Sequence, residues 1–109
     1  MAVASLLAAV LLLAGCAKQP TVYDITMNPS EWNRQEVRLE GDVGLVVSAI
    51  GTSVYEFSDD TGKIWVLTRG SVPSIGDRVM LTARVNERLS VGPVDVGVHL
   101  VETDRRRVK

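Results

Sequence analysis

The chain has 109 residues with 12 basic and 13 acidic side chains, a formal net charge of -1, one Cys and one His. That length leaves room for a single small core, the balanced charge gives no general attraction to nucleic acid or anionic membrane, and a lone cysteine excludes an internal disulfide. One His and one Cys are too few for a His/Cys metal set, and the sequence carries no phosphate loop, catalytic triad or matched acid pair, so no metal, cofactor or catalytic constellation is expected.

The apolar run Leu6-Leu7-Ala8-Ala9-Val10-Leu11-Leu12-Leu13 is too short to span a bilayer and suits the apolar segment of a secretory signal. It ends in Leu13-Ala14-Gly15-Cys16. This ending resembles the lipobox of bacterial lipoproteins. The resemblance implies a signal peptide over residues 1–15, diacylglycerol on the Cys16 thiol, cleavage between Gly15 and Cys16, and further acylation of the new amine by a palmitate-type chain. Two or three such chains, each contributing roughly 0.8 kcal/mol per buried methylene, hold a protein stably at a membrane. No Lys or Arg precedes the run, which suggests a true start upstream of Met1. Ala17, rather than Asp, follows the cysteine, so the resemblance favours the periplasmic face of an outer membrane over inner-membrane retention.

Residues 16–24 read as the lipidated N-terminus and a short polar tether containing Pro20. A domain follows over residues 25–103. Asn28 reads as a helix cap, Pro29 as the first helical residue and Glu31 as the return partner of a capping box, which predicts a helix of one to two turns ending near Gln35. Trp32 on this helix reads as an anchor into the end of the barrel.

From Val37 the apolar period becomes two, which predicts strands. Val37, Leu39, Gly41 and Val43 alternate with Arg38, Glu40 and Asp42, and Gly41 marks a bend or bulge. Ser53 to Ser58 places Tyr55 and Phe57 inward. Asp59-Asp60-Thr61-Gly62 then predicts a hairpin in which Asp side chains bond backbone amides and Gly62 takes the left-handed conformation. Lys63 to Thr68 is apolar on both faces, with Ile64 and Val66 on one and Trp65 and Leu67 on the other, so its outer face is not plain solvent. A loop with Pro73 leads to the Ile75-Gly76-Asp77 turn and to a strand with Val79, Leu81, Ala83 and Val85 inward. The last strand is read with Val94, Val96, Val98 and Leu100 inward, which leaves His99 on the surface. Residues 104–109, with Arg105, Arg106, Arg107 and Lys109, read as a frayed basic tail, contact with anionic lipid being the functional alternative.

Five short strands and the run Tyr55-Glu56-Phe57-Ser58-Asp59-Asp60-Thr61-Gly62-Lys63-Ile64-Trp65-Val66 resemble the OB-fold, a five-stranded Greek-key barrel. The closest likeness is to the exported bacterial OB-fold (BOF) families, with Val37 to Val43 and Pro73 to Val79 matching in the same order. The hairpin also resembles anticodon-binding OB domains of tRNA synthetases and single-strand-binding OB proteins. The resemblance implies an all-β OB-fold-like barrel with one short N-terminal helix, and a binding surface on the outer face of strands 2 and 3. There Trp65 is the leading contact, with Val54, Glu56, Arg38 and Lys63 around it. A nucleic-acid groove needs uncompensated cations and stacking aromatics, whereas Glu40, Asp42 and Glu56 offset Arg38 and Lys63. The expectation is therefore a lipid-anchored, non-enzymatic binding module of the cell envelope, with an envelope protein or glycan as ligand. Alternatives are a structural subunit of an envelope complex and a single-stranded nucleic-acid-binding domain.

Overall fold

The computed structural model describes residues 18–49, 51–88, 90–91, 94–95 and 97–109. Residues 1–17, with the signal segment and Cys16, lie outside the described residues, as does Val96. Among the described residues two short helices, α1 (Val22–Met27) and α2 (Pro29–Trp32), precede seven strands: β1 (Glu36–Ala49), β2 (Thr52–Asp59), β3 (Gly62–Thr68), β4 (Arg78–Asn86), β5 (Ser90–Val91), β6 (Val94–Asp95) and β7 (His99–Arg107). Five of them close a barrel in the order β1-β2-β3-β7-β4, while β5 and β6 form a separate two-stranded hairpin.

Alternation builds the core as the sequence predicts. Val37, Leu39, Val43, Tyr55, Phe57, Ile64, Val66, Val79, Leu81, Ala83, Val85 and Leu100 are all buried in one cluster, with Trp32 packed against it. β1 serves two walls. Its first half, Glu36 to Asp42, pairs with β4, and its second half, from Asp42 to Ala49, pairs with β2. The register shift between Val43 and Val46 lets the strand curl from one wall to the other. The bulge therefore falls at Gly44 and Leu45, three residues beyond Gly41. Gly41 serves close packing instead, because a Cβ there would collide with the Ser58 carbonyl oxygen and come within 2.7 Å of the Phe57 ring.

The barrel closes through β7, which is parallel to β3 (Val66 beside Leu100, Leu67 beside Val101) and antiparallel to β4 from Asn86–His99 to Val79–Arg107. The last strand and the tail thus differ from expectation. Gly97, at φ 75°, breaks the alternation expected from Val94 to Leu100, and Val94–Asp95 belongs to the small hairpin. Residues 99–107 form the strand although most are polar, because β4 offers them a ladder along its whole length, interrupted by a register shift at Thr103. Arg105, Arg106 and Arg107 are thus strand residues. His99 is 1% exposed rather than on the surface, and its Nδ1 donates to the Gly97 carbonyl at 3.2 Å.

At the N-terminal side two expectations change. The tether ends earlier than expected, since the Lys18 carbonyl accepts the Arg38 N–H at 2.8 Å and Lys18 forms a parallel bridge with Val37. The capping box belongs to α1: the Thr21 hydroxyl accepts from the Asp24 N–H at 3.1 Å, and the Asp24 carboxylate accepts from the Thr21 N–H at 3.0 Å. Asn28 precedes Pro29 at the start of α2 but makes no side-chain cap bond. Thr-x-x-Asp carries the same reciprocal geometry as the Ser/Thr-x-x-Glu pattern. Gly62 is also corrected. It lies outside the left-handed region, which Gly51, Gly76, Gly97 and Arg34 occupy among the described residues.

Candidate functional site

The β2–β3 hairpin is rigid at its turn because Asp59 saturates it. Asp59 Oδ1 accepts from the Thr61 N–H (2.8 Å), the Thr61 hydroxyl (2.6 Å) and the Gly62 N–H (3.2 Å), and Oδ2 accepts from the Val22 N–H at 2.9 Å. Burial pushes the Asp59 carboxyl up, but the bonds from the Thr61 side chain and from the amides of Val22, Thr61 and Gly62 outweigh it and hold it below the ordinary carboxylate value. Asp59 is thus a turn residue, as expected, and additionally seats α1 on the hairpin. Among the described residues no three His, Cys, Asp or Glu side chains gather as a metal site, and no helix is long and apolar enough to cross a membrane.

On the outer face of this hairpin, register decides which candidates meet. Glu56 pairs with Trp65 and Val54 with Leu67. The second pair continues on both sides, to Val47 on β1 and Val101 on β7. Val47, Val54, Leu67 and Val101 therefore form one apolar row across four strands, about 14 Å wide at the usual strand spacing. Trp65 stands half-buried beside it, two residues from Leu67. Leu45 at the bulge and Val47 are 56% and 47% exposed. Sequence parity anticipated Trp65, Leu67 and Val54 on this face, but it missed Val47, Leu45 and Val101. Their membership depends on a bulge and on a parallel strand pairing, neither of which alternation within one strand reveals.

The charged candidates divide. Lys63 and Glu56 stay on the face and pair with each other at 3.6 Å. Arg38 does not join them: it pairs in register with Thr82 on the β1–β4 wall and lines a groove with Gln19, Glu40 and Met80. Glu40 and Asp42 also belong to that wall, where Arg78 bonds Glu40 at 2.9 Å and Asp42 at 3.2 Å.

Behind the face lies a polar group that alternation did not signal. Glu102 accepts from the Tyr55 hydroxyl (2.7 Å), the Thr68 hydroxyl (2.7 Å) and Arg105 Nη1 (2.9 Å), and Arg105 Nη2 donates to the Ser71 carbonyl at 2.7 Å. The Glu102 and Arg105 side chains are only 11% and 13% exposed. This network ties β2, β3 and β7 to the loop after β3. Burial, then the Glu102 carboxylate, push the Tyr55 phenol far above its ordinary range, and Arg105 offsets this only in part. Tyr55 is a neutral hydrogen-bond donor here.

The sequence matches no family model and no curated protein. Solved structures are similar in fold. The OBody AM3L09, bound to hen egg-white lysozyme, has a TM-score of 0.58 at 20% identity, over 72% of this chain and 85% of that one. Asparaginyl-tRNA synthetase from Pyrococcus horikoshii has 0.60 at 14% identity, over 72% of this chain and 21% of that one. The Stn1–Ten1 complex of S. pombe has 0.55 at 14%, over 68% of this chain and 58% of that one. The barrel is an OB-fold. The row Val47-Val54-Leu67-Val101 and Trp65 lie on the outer face of strands 2 and 3, the surface on which OB-folds bind ligands, and α1 seats on the turn at the end of that hairpin. The chain spans about a fifth of the synthetase, and at these identities the likeness is one of fold alone.

Proposed function

We propose that this chain is a lipid-anchored, non-enzymatic OB-fold binding module of the bacterial cell envelope, of the exported BOF kind, and that its β2–β3 outer face binds an envelope protein. The observation that carries this reading is the apolar row with Trp65 beside it. Val47 is exposed and Val54, Leu67, Val101 and Trp65 are half-buried. Contiguous apolar surface that still faces solvent on a small domain marks an interaction site, and a Trp beside aliphatic side chains is a common hot-spot arrangement in protein interfaces. The OBody bound to lysozyme has the same fold and is bound to a protein, which is compatible with this reading.

A glycan ranks second, because Trp65 could stack on a sugar ring but Glu56 and Lys63 are the charged groups beside it and they engage each other. Single-stranded nucleic acid ranks third. Lys63, the cation beside Trp65, is shared with Glu56, and Arg38 lies on another wall. Arg84, in register with Val101 at the end of the row, adds a single charge, which leaves too few cations to track a phosphate backbone. The anchor rests on Leu13-Ala14-Gly15-Cys16.

Two measurements test the proposal. Mass spectrometry of membrane-extracted protein should find an acylated Cys16 at the mature N-terminus, and a Cys16→Ser variant should be neither processed nor retained; retention of that variant would defeat the anchor. Retention of the full chain on single-stranded DNA at physiological salt, lost in Trp65→Ala, would defeat the protein-binding reading.

A further inference from the structure

The end of the barrel that carries α1 and α2 presents a second surface. Tyr23 and Met27 stand four residues apart, hence on one side of α1, and are 54% and 59% exposed, whereas Val22 and Ile25 are wholly buried. Lys18 is exposed, with its ammonium 5.8 Å from the centre of the Trp32 ring. The hydrogen bond from Arg38 to the Lys18 carbonyl fixes that backbone to β1. Cys16 stands two residues earlier in the sequence, and two residues span at most about 7 Å. An acyl chain on Cys16 therefore enters the bilayer close to this cap.

We propose, on the reading of Cys16 as the acylated residue, that the barrel is docked on the bilayer through this cap rather than held on a free tether. Tyr23 and Met27 enter the headgroup layer, with Trp32 and Lys18 at its edge. Aromatic side chains and a Lys whose stem lies along an apolar body suit that layer. The cap is not basic: against Lys18, Arg34 and Lys63 stand Asp24, Glu31, Glu36, Asp59 and Asp60. The contact is accordingly apolar and insensitive to salt. It also sets the orientation, because the β1–β2 loop, at the far end of the hairpin from the Asp59 turn, points away from the lipid and leaves the Trp65 face open to the periplasm.

The test uses the full lipidated protein in phosphatidylcholine vesicles with brominated acyl chains. An environment-sensitive fluorophore is placed on Met27→Cys or, as the distal position, on Ser48→Cys; acylation of Cys16 leaves the introduced thiol as the labelling site. The expected result is quenching several-fold stronger at position 27 than at 48, unchanged by salt. Equal quenching at both positions, or none at 27 while the protein stays vesicle-bound, overturns the docked orientation and leaves the anchor standing. Protein that carries no acyl chain and does not stay with the vesicles overturns the anchor and the docking together.

Discussion

The carboxylate of Asp59 reaches back 37 residues to accept the Val22 N–H at 2.9 Å, so one side chain closes the β2–β3 turn and starts α1. Losing it breaks both. Asp59→Ala should cost about 2–3 kcal/mol, more than an ordinary cap at about 1 kcal/mol, as read by chemical denaturation. The carboxyl is held below its ordinary value in the folded protein, so its stabilisation is complete above the unfolded value of about 3.9 and is lost as pH falls through the lower folded value. Asp59→Asn should flatten this acid limb. An acid limb identical to that of the parent would contradict the assignment.

Glycines 41 and 62 should behave oppositely. A Cβ at Gly62 would meet Val22 Cγ1 at 3.5 Å, an ordinary contact, and the backbone there is not left-handed. Gly62→Ala should therefore change stability by no more than about 0.5–1 kcal/mol, in either direction. Gly41→Ala must push Phe57 and the β2 backbone aside and should cost about 2 kcal/mol or more. Thermal melts of the two variants check the order, and a larger loss in Gly62→Ala would refute it.

The Glu102 network carries its own spectroscopic signature. Glu102→Ala leaves Arg105 charged in a nearly closed site and should cost about 3–5 kcal/mol, whereas Tyr55→Phe should cost about 1–2 kcal/mol. Because the Tyr55 pKa is raised, its stabilisation is complete below about 10 and is lost as pH rises above that value. In a Tyr23→Phe background, phenolate absorbance should appear only as the barrel unfolds in alkali. A phenolate signal well before the loss of far-UV structure would contradict the buried hydrogen bond.

How far these features were legible depends on whether their cause is local. Alternation within β1 to β4 located Tyr55, Phe57, Val66 and Leu81 in the core, because a strand with one buried face must repeat every two residues. The same rule placed Trp65 outward. It failed for residues 99–107, whose strand state comes from pairing with β4 rather than from their own pattern, and for His99. It failed for Arg38 too, since β1 turns from one wall to the other and outward-facing residues on its two halves do not share a face. The capping box of Thr21 and Asp24 is hidden in the sequence because it lies in a polar, Pro-containing stretch that has the composition of a tether.

Site-specific photo-crosslinking in intact cells tests the binding face most directly. A photoreactive residue at Val54, inside the apolar row, is compared with one at Arg38, which is exposed on the β1–β4 wall. The expected result is a discrete protein adduct from position 54 that disappears when Trp65→Ala or Leu67→Asp is added, with none from position 38. Adducts of equal yield from both positions, or an adduct at 54 that survives both substitutions, would contradict the assignment of this face as the protein-binding surface.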